Sequence, residues 1–142
     1  MALPEPEPGL VVSYAYLWHR EAVAGLDEGR KDHPGVIVLS VRQPRASPMV
    51  TVLPITHSPP HDQAAAVEIP AAVKRHLRLD DAPSWIVVSE GNVFDWPGYD
   101  LRPTVTGGGY AYGFLPPRLF SRVVTAFAGF HRRGRSRLTS RS

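Results

Sequence analysis

Three consecutive hydrogen-bonding side chains, Thr56, His57 and Ser58, follow directly after an apolar run at residues 50–55 (VTVLPI). Two prolines come next and restrict the backbone where the chain leaves this segment. Hydroxyl and imidazole groups at the end of a rigid strand can donate hydrogen bonds to a phosphate group. The same residue types are also common at strand ends and in turns. On this pattern alone the structural role is favoured, and phosphate binding is the alternative.

A metal site is disfavoured at the same segment. His57 and His61 have a spacing that suits two metal ligands on one helix, but the two prolines between them exclude a helix. The remaining ligands of a closed site are not evident, and the sequence contains no cysteine. The glycine run at residues 107–109 lacks the Lys-Ser/Thr pair of a nucleotide-binding loop. The sequence therefore predicts no metal and no other cofactor.

The net charge of +3 is distributed unevenly over the 142 residues. Five of the 16 Lys and Arg residues lie within residues 132–142, which contain no acid. Residues 1–131 keep 11 basic and 13 acidic residues, a net charge of −2. The basic end is predicted to be a disordered tail, with phosphate binding through counterion release as the alternative.

The chain length fits one domain, which we place at residues 9–131, between an extended segment at 1–8 and the tail at 132–142. The first residues, MALPEPEPG, lack the basic and apolar regions of a signal peptide. No apolar stretch approaches the roughly 18 residues of a membrane span. Together with the missing cysteines, this predicts a cytoplasmic protein without a membrane partner.

Short runs of β-branched and aromatic residues predict strands. They cover residues 10–18, 35–41, 50–56, 65–69, 84–89 and 110–114. The short connection at 42–48 predicts an antiparallel pair on either side of it. The segments at 19–34 and 90–103 are polar or irregular and predict loops.

Two helices complete the predicted elements. Pro70 is suited to the start of a short helix, PAAVKRHLRL, because its fixed φ matches the first helical position. After Pro116 and Pro117, apolar residues recur every three or four positions and predict an amphipathic helix. The predicted fold is mainly β with α: five to six short antiparallel strands in a small bent sheet or barrel, one short helix and a C-terminal helix.

The order of these segments resembles the MazF/PemK family of toxin–antitoxin ribonucleases. The resemblance rests on GLVVSYAYLW, VIVLSV, VTVLPIT and GFLPPRLFSRVVTAF, and runs from about residue 8 to residue 130. The extended N-terminus and the insertion VFDWPGYDLRP resemble a divergent PemK-like subgroup. The resemblance implies an SH3-like barrel, a homodimer, metal-independent cleavage of single-stranded RNA, and an antitoxin protein that blocks this activity.

The resemblance also implies site residues. The family pattern has a Thr at the end of the third strand, which here is Thr56. Some members also have an acid in the turn after a strand like SWIVVS, and Glu90 falls close to that place. The family pattern has Arg-Pro before the second strand, where this chain has His33 and Pro34. Histidine is only partly charged near neutral pH, so this departure weakens the fixed cationic stabilisation that Arg would supply.

RNA can be cleaved by attack of its own 2′-OH on the adjacent phosphate, which requires a base, an acid and donors to the phosphate. Glu90 is the candidate base and Thr56 the candidate donor. His33 is the candidate acid or cation, with Arg30 and Lys31 as nearby substitutes. This chemistry requires no metal ion.

Further residues are candidates for contact with RNA. The complete predicted RNA-binding set is Arg30, Lys31, His57, Ser58, His19 and Trp96. Exposed aromatic residues can stack on unpaired bases. Trp96 also suits a lid over the open end of a small barrel, and this role is favoured for it.

Two principal functions follow from these observations. The first is a toxin-like, metal-independent endoribonuclease that cuts single-stranded RNA and inhibits growth. The alternative is a module on the same barrel that binds RNA, DNA or a peptide without cleaving. The His33 departure and the near-neutral body favour the alternative, since strong RNA binders carry a basic groove. A weaker third possibility is a regulatory fold with no nucleic-acid partner.

Overall fold

A computed structural model describes residues 3–25, 33–98, 101–104 and 109–140. Within these ranges the strands are β1 (Leu10–Tyr14), β2 (His33–Gln43), β3 (Ala46–Thr56), β4 (Ala66–Glu68), β5 (Trp85–Val87), β6 (Glu90–Asp95), β7 (Ala111–Phe114) and β8 (Arg137–Ser140). The helices are α1 (His19–Val23), α2 (Ala71–His76) and α3 (Pro117–Arg132), and Gln63–Ala65 form a 3₁₀ turn. The predicted class, a mainly antiparallel β-sheet with short helices and a C-terminal helix, is confirmed.

The strands are ordered β4-β5-β3-β2-β1-β7, and β6 and β8 branch from β3. One edge of β3 pairs with β2. The other edge pairs first with β6, at residues 49–52, and then with β5, at residues 55 and 56. All pairings are antiparallel except β6 with β8. Because β4 and β7 end the order, the pairings among the described residues do not close a barrel.

Alternating side chains place an apolar cluster on each face of the sheet. On β2, Val36 and Val38 belong to one cluster, whereas Ile37 between them belongs to the other. The first cluster packs against α3, which contributes Leu119 and Val123. The second cluster combines aliphatic side chains with aromatic ones, and Tyr16 and Trp18 of the segment that follows β1 pack in it. The sheet is therefore buried on both faces near its centre, which holds the ends of β2 and β3 in place.

Helix α3 forms where the sequence predicts it, after a proline and with apolar residues along one face. Pro117 occupies its first position, where a missing N–H costs nothing. Leu119, Val123 and Phe130 are buried against the sheet, and the opposite face is polar and exposed. The predicted short helix after Pro70 is also present, with Pro70 as its N-terminal cap.

The structure differs from the sequence expectation in three places. Residues 90–95, predicted as irregular, form β6. Residues 19–23, predicted within a loop, form α1. Residues 137–140, predicted within a disordered tail, form β8, which pairs in parallel with β6. The pairing satisfies the otherwise open edge of β6, a local advantage that tail composition does not reveal. The glycine turn at 107–109 lies mostly outside the described residues.

No helix within the described ranges combines the length and the apolarity that crossing a bilayer requires.

The close approach of β2 and β3 gives a stability prediction. A Cβ atom added at Gly35 would lie 2.6 Å from Cγ1 of the buried Val52. Gly35→Ala should lower the free energy of unfolding by about 1–3 kcal/mol, because overpacking forces the strands apart. Gly129→Ala is the matched control: the added methyl group meets only the side chain of Arg133, at ordinary contact distances. It should raise stability by about 0.5–1 kcal/mol. Urea unfolding curves measure both, and an unchanged midpoint for Gly35→Ala would contradict the packing.

Candidate functional site

The hairpin of β2 and β3 brings two predicted site residues to one end of the sheet. Gly35 pairs with Pro54, and the strands are antiparallel. Extending this register by two residues sets His33 level with Thr56. His33 is held on its other side by pairing with Tyr14 of β1, and Thr56 is held by β5. Each side chain therefore starts from backbone that pairs with a further strand of the sheet.

A cavity of about 710 Å³ opens at this end of the hairpin. Its polar lining includes His33, Thr56, His57, Ser58, Arg78 and Asp80. Four of the nine predicted site residues are thus brought together. The cavity lies within the size range of sites that bind small molecules or single nucleotides.

Thr56 lines this cavity, and its hydroxyl oxygen takes part in a local hydrogen bond. Its Oγ accepts a hydrogen bond of 3.1 Å from the backbone N–H of Ser58. This is the local turn chemistry that the sequence favours for the segment. Because the oxygen serves as acceptor here, its own O–H stays available to donate. The structural and the phosphate-binding roles of Thr56 are therefore compatible.

His57 is oriented by a carboxylate that the sequence analysis did not single out. Its Nε2 lies 2.8 Å from Oδ2 and 3.0 Å from Oδ1 of Asp80. In the neutral ring, an Nε2–H that donates to Asp80 leaves the lone pair on Nδ1. This arrangement, a histidine held by an aspartate at the edge of a cavity, suits a group that accepts a proton.

Asp80 is held in turn by a buried lysine. The Nζ of Lys74 lies 2.8 Å from Oδ1 of Asp80 and 2.7 Å from Oγ of Ser84, and it also donates to the carbonyl of Ala82. Lys74 is only 5% exposed, so its ammonium group depends on these acceptors. The hydrogen bond from Lys74, followed by that from His57, holds the pKa of the Asp80 carboxyl below its usual range, although partial burial opposes the shift.

Arg78 lines the same cavity from an unusual backbone conformation. It follows the last residues of α2 and has a φ of 57°, in the left-handed region. Glycine is the common residue at this position after a helix, because a Cβ atom there is strained. The chain accepts that strain at an arginine, which lines the same cavity as Thr56 and His57. Backbone strain of this kind is found preferentially at functional sites.

Glu90, the predicted base, lies in a different environment. Its Oε1 accepts hydrogen bonds from the Tyr16 hydroxyl (3.0 Å) and from the backbone N–H of His19 (2.9 Å). The ring of Trp18 lies 5.1 Å from the ring of Tyr16 and 5.9 Å from that of His33, centroid to centroid. A chain of contacts thus runs from Glu90 through Tyr16 and Trp18 to His33, and neither Glu90 nor His19 lines the cavity.

The contacts of Glu90 have a structural role. They fasten the start of α1 and the segment after β1 to β6. Burial and the negative charge of Glu90 raise the pKa of the Tyr16 hydroxyl, which stays protonated and continues to donate. Asn92 adds to this attachment, because its side chain exchanges two hydrogen bonds with the backbone of Leu17.

Trp96 is a core residue and offers no free face to a base. It is 7% exposed, and its ring stacks on Phe94 at 6.4 Å. A nucleobase could stack on Trp96 only by displacing the second apolar cluster, so the RNA-binding role predicted for it lacks support from this geometry. Arg30 and Lys31, also predicted to bind RNA, lie outside the described residues.

Sequence reasoning missed Lys74, Arg78 and Asp80. Lys74 lies three residues before Leu77 on the side of α2 that faces the core, where a charge needs a buried partner. Asp80 begins the run DDAP, which carries only the signal of a turn. Only the three-dimensional arrangement joins these two weak signals to His57.

Comparison with known proteins adds no assignment: no protein-family profile matches the chain, and no curated protein matches it significantly. Among the described residues, no three or more His, Cys, Asp or Glu side chains are grouped so that they could hold a metal ion.

The state of Asp80 gives a prediction about acid stability. The pKa of Asp80 is lower in the folded protein than the value of about 3.9 in an unfolded chain. Its stabilising effect is therefore present at neutral pH and is lost as the pH falls through the folded pKa. Asp80→Asn should lower the free energy of unfolding at pH 7 and flatten its decline below about pH 5.

Asp81→Asn is the matched control for this experiment, since the neighbouring carboxylate makes no ion pair or hydrogen bond with another described residue. Chemical denaturation at several pH values measures both variants. Parallel stability curves for the wild type and Asp80→Asn would contradict the role of Asp80.

Proposed function

We propose that this protein is a metal-independent endoribonuclease that cuts single-stranded RNA, a growth inhibitor similar to the MazF/PemK toxins. The observation that carries the proposal is the shared cavity of His33, Thr56, His57 and Arg78. It combines two imidazole groups, which can transfer protons, with a hydroxyl and a guanidinium group, which can stabilise a phosphate. These are the three functions that cleavage through the 2′-OH requires.

The cleavage step assigns one task to each group. Nδ1 of His57, oriented by Asp80, takes the proton from the 2′-OH, and the 2′ oxygen attacks the adjacent phosphorus. Thr56 and Arg78 donate hydrogen bonds to the phosphate oxygens as their charge rises. His33, in its protonated form, gives a proton to the departing 5′ oxygen. The products are a 2′,3′-cyclic phosphate and a 5′-hydroxyl end.

This mechanism moves the role of base from Glu90 to His57. A base must reach the proton directly or through one water molecule. His57 lines the cavity, whereas Glu90 does not, and its Oε1 atom already accepts hydrogen bonds from Tyr16 and His19. Glu90 acts in this scheme as a positioning residue for the segment that supports His33.

The proposal also covers the type of barrel, the oligomeric state and the inhibiting partner. The bent sheet around β3 is taken as an SH3-like barrel, and the protein is expected to act as a cytoplasmic homodimer that a partner antitoxin inhibits. The alternative is a module that binds nucleic acid or peptide without cleaving. It is favoured by one observation, the presence of His33 where the resembled family has arginine.

Removal of the Thr56 hydroxyl tests the nuclease directly. Purified protein in excess EDTA is expected to cut a long single-stranded RNA at discrete sites. Thr56→Ala should slow cleavage about 100-fold, the usual loss for one donor to a transition-state oxygen, and should leave RNA affinity nearly unchanged. If the RNA stays intact although the wild-type protein is folded, the nuclease function is rejected, and the alternative of a module that binds without cleaving is favoured.

The strained position of Arg78 allows a second test that separates function from stability. Arg78→Gly removes the guanidinium group and relieves a left-handed strain of about 1–2 kcal/mol, offset by the greater freedom of glycine when unfolded. Stability should stay within about 1 kcal/mol of the wild type, and cleavage should fall about 100-fold.

Arg45→Gly is the matched control, because Arg45 has a φ of 59° in the turn between β2 and β3 and does not line the cavity. It should have the same small effect on stability and none on cleavage. Equal cleavage rates for Arg78→Gly and Arg45→Gly would show that Arg78 takes no part in cleavage.

A further inference from the structure

A second groove, of about 870 Å³, lies between α3 and the segment that contains the 3₁₀ turn and β4. Its lining includes four arginines of α3 and of the residue that follows it: Arg118, Arg122, Arg132 and Arg133. It shares no lining residue with the cavity that contains Thr56. We name it the α3 groove.

The spacing of the arginines follows from helix geometry. Arg118 and Arg122 are separated by one turn, about 6 Å along the axis, and Arg132 lies about 15 Å beyond Arg122. Ser121 and Thr125 line the groove between them and offer hydroxyl groups. The cationic groups therefore extend over about 21 Å, a length that suits an extended polymer better than a single small anion.

The positive charge of the α3 groove is not compensated within the described residues. Helix α3 contains no acid, and none lines the groove. Arg118, Arg122 and Arg132 form no ion pair with a described carboxylate, and the nearby Asp62 approaches Arg135 at 3.9 Å instead. Arg133 is held over the ring of Phe130 at 5.0 Å.

We propose that the α3 groove binds the phosphate backbone of the RNA strand, apart from the cavity in which cleavage takes place. Guanidinium groups bind phosphate oxygens in pairs, and hydroxyl groups add further donors. The apolar part of the lining consists of small side chains such as Ala64, Val67 and Ala126. Among the described residues it holds none of the aromatic side chains that dominate binding to a protein partner. This inference rests on the proposed function in taking RNA as the polyanion.

The test measures binding without cleavage. A fluorescein-labelled 2′-O-methyl uridine 20-mer, which lacks a free 2′-OH, is titrated with the full chain and followed by fluorescence anisotropy at several salt concentrations. The double variant Arg118→Gln/Arg122→Gln should bind about 10-fold more weakly near 0.1 M salt. The slope of log K against log salt should fall by about 1.4, or about 0.7 for each lost charge on a single strand.

The matched control is Arg42→Gln/Arg45→Gln, which removes two exposed arginines from the end of the β2–β3 hairpin. It should change neither the affinity nor the salt slope by more than the experimental error. Superimposable salt plots for the wild type and Arg118→Gln/Arg122→Gln would overturn the proposal. An unchanged RNA plot, together with weaker binding of a decaglutamate peptide, would overturn it in favour of an acidic protein partner.

Cleavage assays separate this proposal from the proposed function. Cleavage of a dinucleotide should be unaffected in Arg118→Gln/Arg122→Gln, whereas KM for a 20-mer RNA should rise about 10-fold. If the wild-type protein cuts neither substrate, the proposed nuclease function is rejected. The salt slope measured with the 2′-O-methyl probe would still decide whether the α3 groove binds the RNA strand.

Discussion

Strand β3 has neighbours along both of its edges, and this double pairing fixes the position of the candidate site. β2 runs along one edge, while β6 and then β5 occupy the other. The last paired residue is Thr56, after which the chain turns away through His57 and Ser58. Thr56 itself pairs with Trp85 of β5, which limits the freedom of its backbone, so its side chain can serve as a fixed donor. The rest of the cavity is assembled around this point.

The second constraint is the burial of Lys74. An ammonium group at this depth is tolerated only because Asp80, Ser84 and a backbone carbonyl surround it. Asp80 satisfies Lys74 with one oxygen and lies within hydrogen-bond distance of His57 with both. The requirement to satisfy a buried charge therefore also orients an imidazole ring at the edge of the cavity, so that packing and proposed chemistry share one carboxylate.

The sequence predicted elements whose signal is local. The strands around residues 35–41 and 50–56, and the helix after Pro117, follow from apolar periodicity and proline placement. It did not predict strands that depend on a partner far away in the chain. β8 pairs with residues of β6 that lie 47 positions earlier, and β6 itself has a mixed sequence that becomes extended by pairing with β3. Tertiary context overrides propensity in such strands.

The candidate site, too, was predictable where its residues are close in the chain and not where they are far apart. Thr56, His57 and Ser58 were found because they are adjacent in the chain, and His33 because the resemblance places it at the start of β2. The family pattern also pointed to Glu90, but the segment after β1 folds over that carboxylate and occupies it. Asp80 and Arg78 follow a short helix more than 20 residues after Thr56, and neither carries a motif of its own. Contacts of this range depend on sheet pairing and cannot be read from spacing.

The measurement that tests the central claim most directly is the chemical identity of the RNA ends produced in excess EDTA, determined by mass spectrometry. Attack by the 2′-OH within the cavity should give a 2′,3′-cyclic phosphate on one fragment and a 5′-hydroxyl on the other. Ends that carry a 5′-phosphate would contradict the account, because they require water and not the 2′-OH as the attacking group.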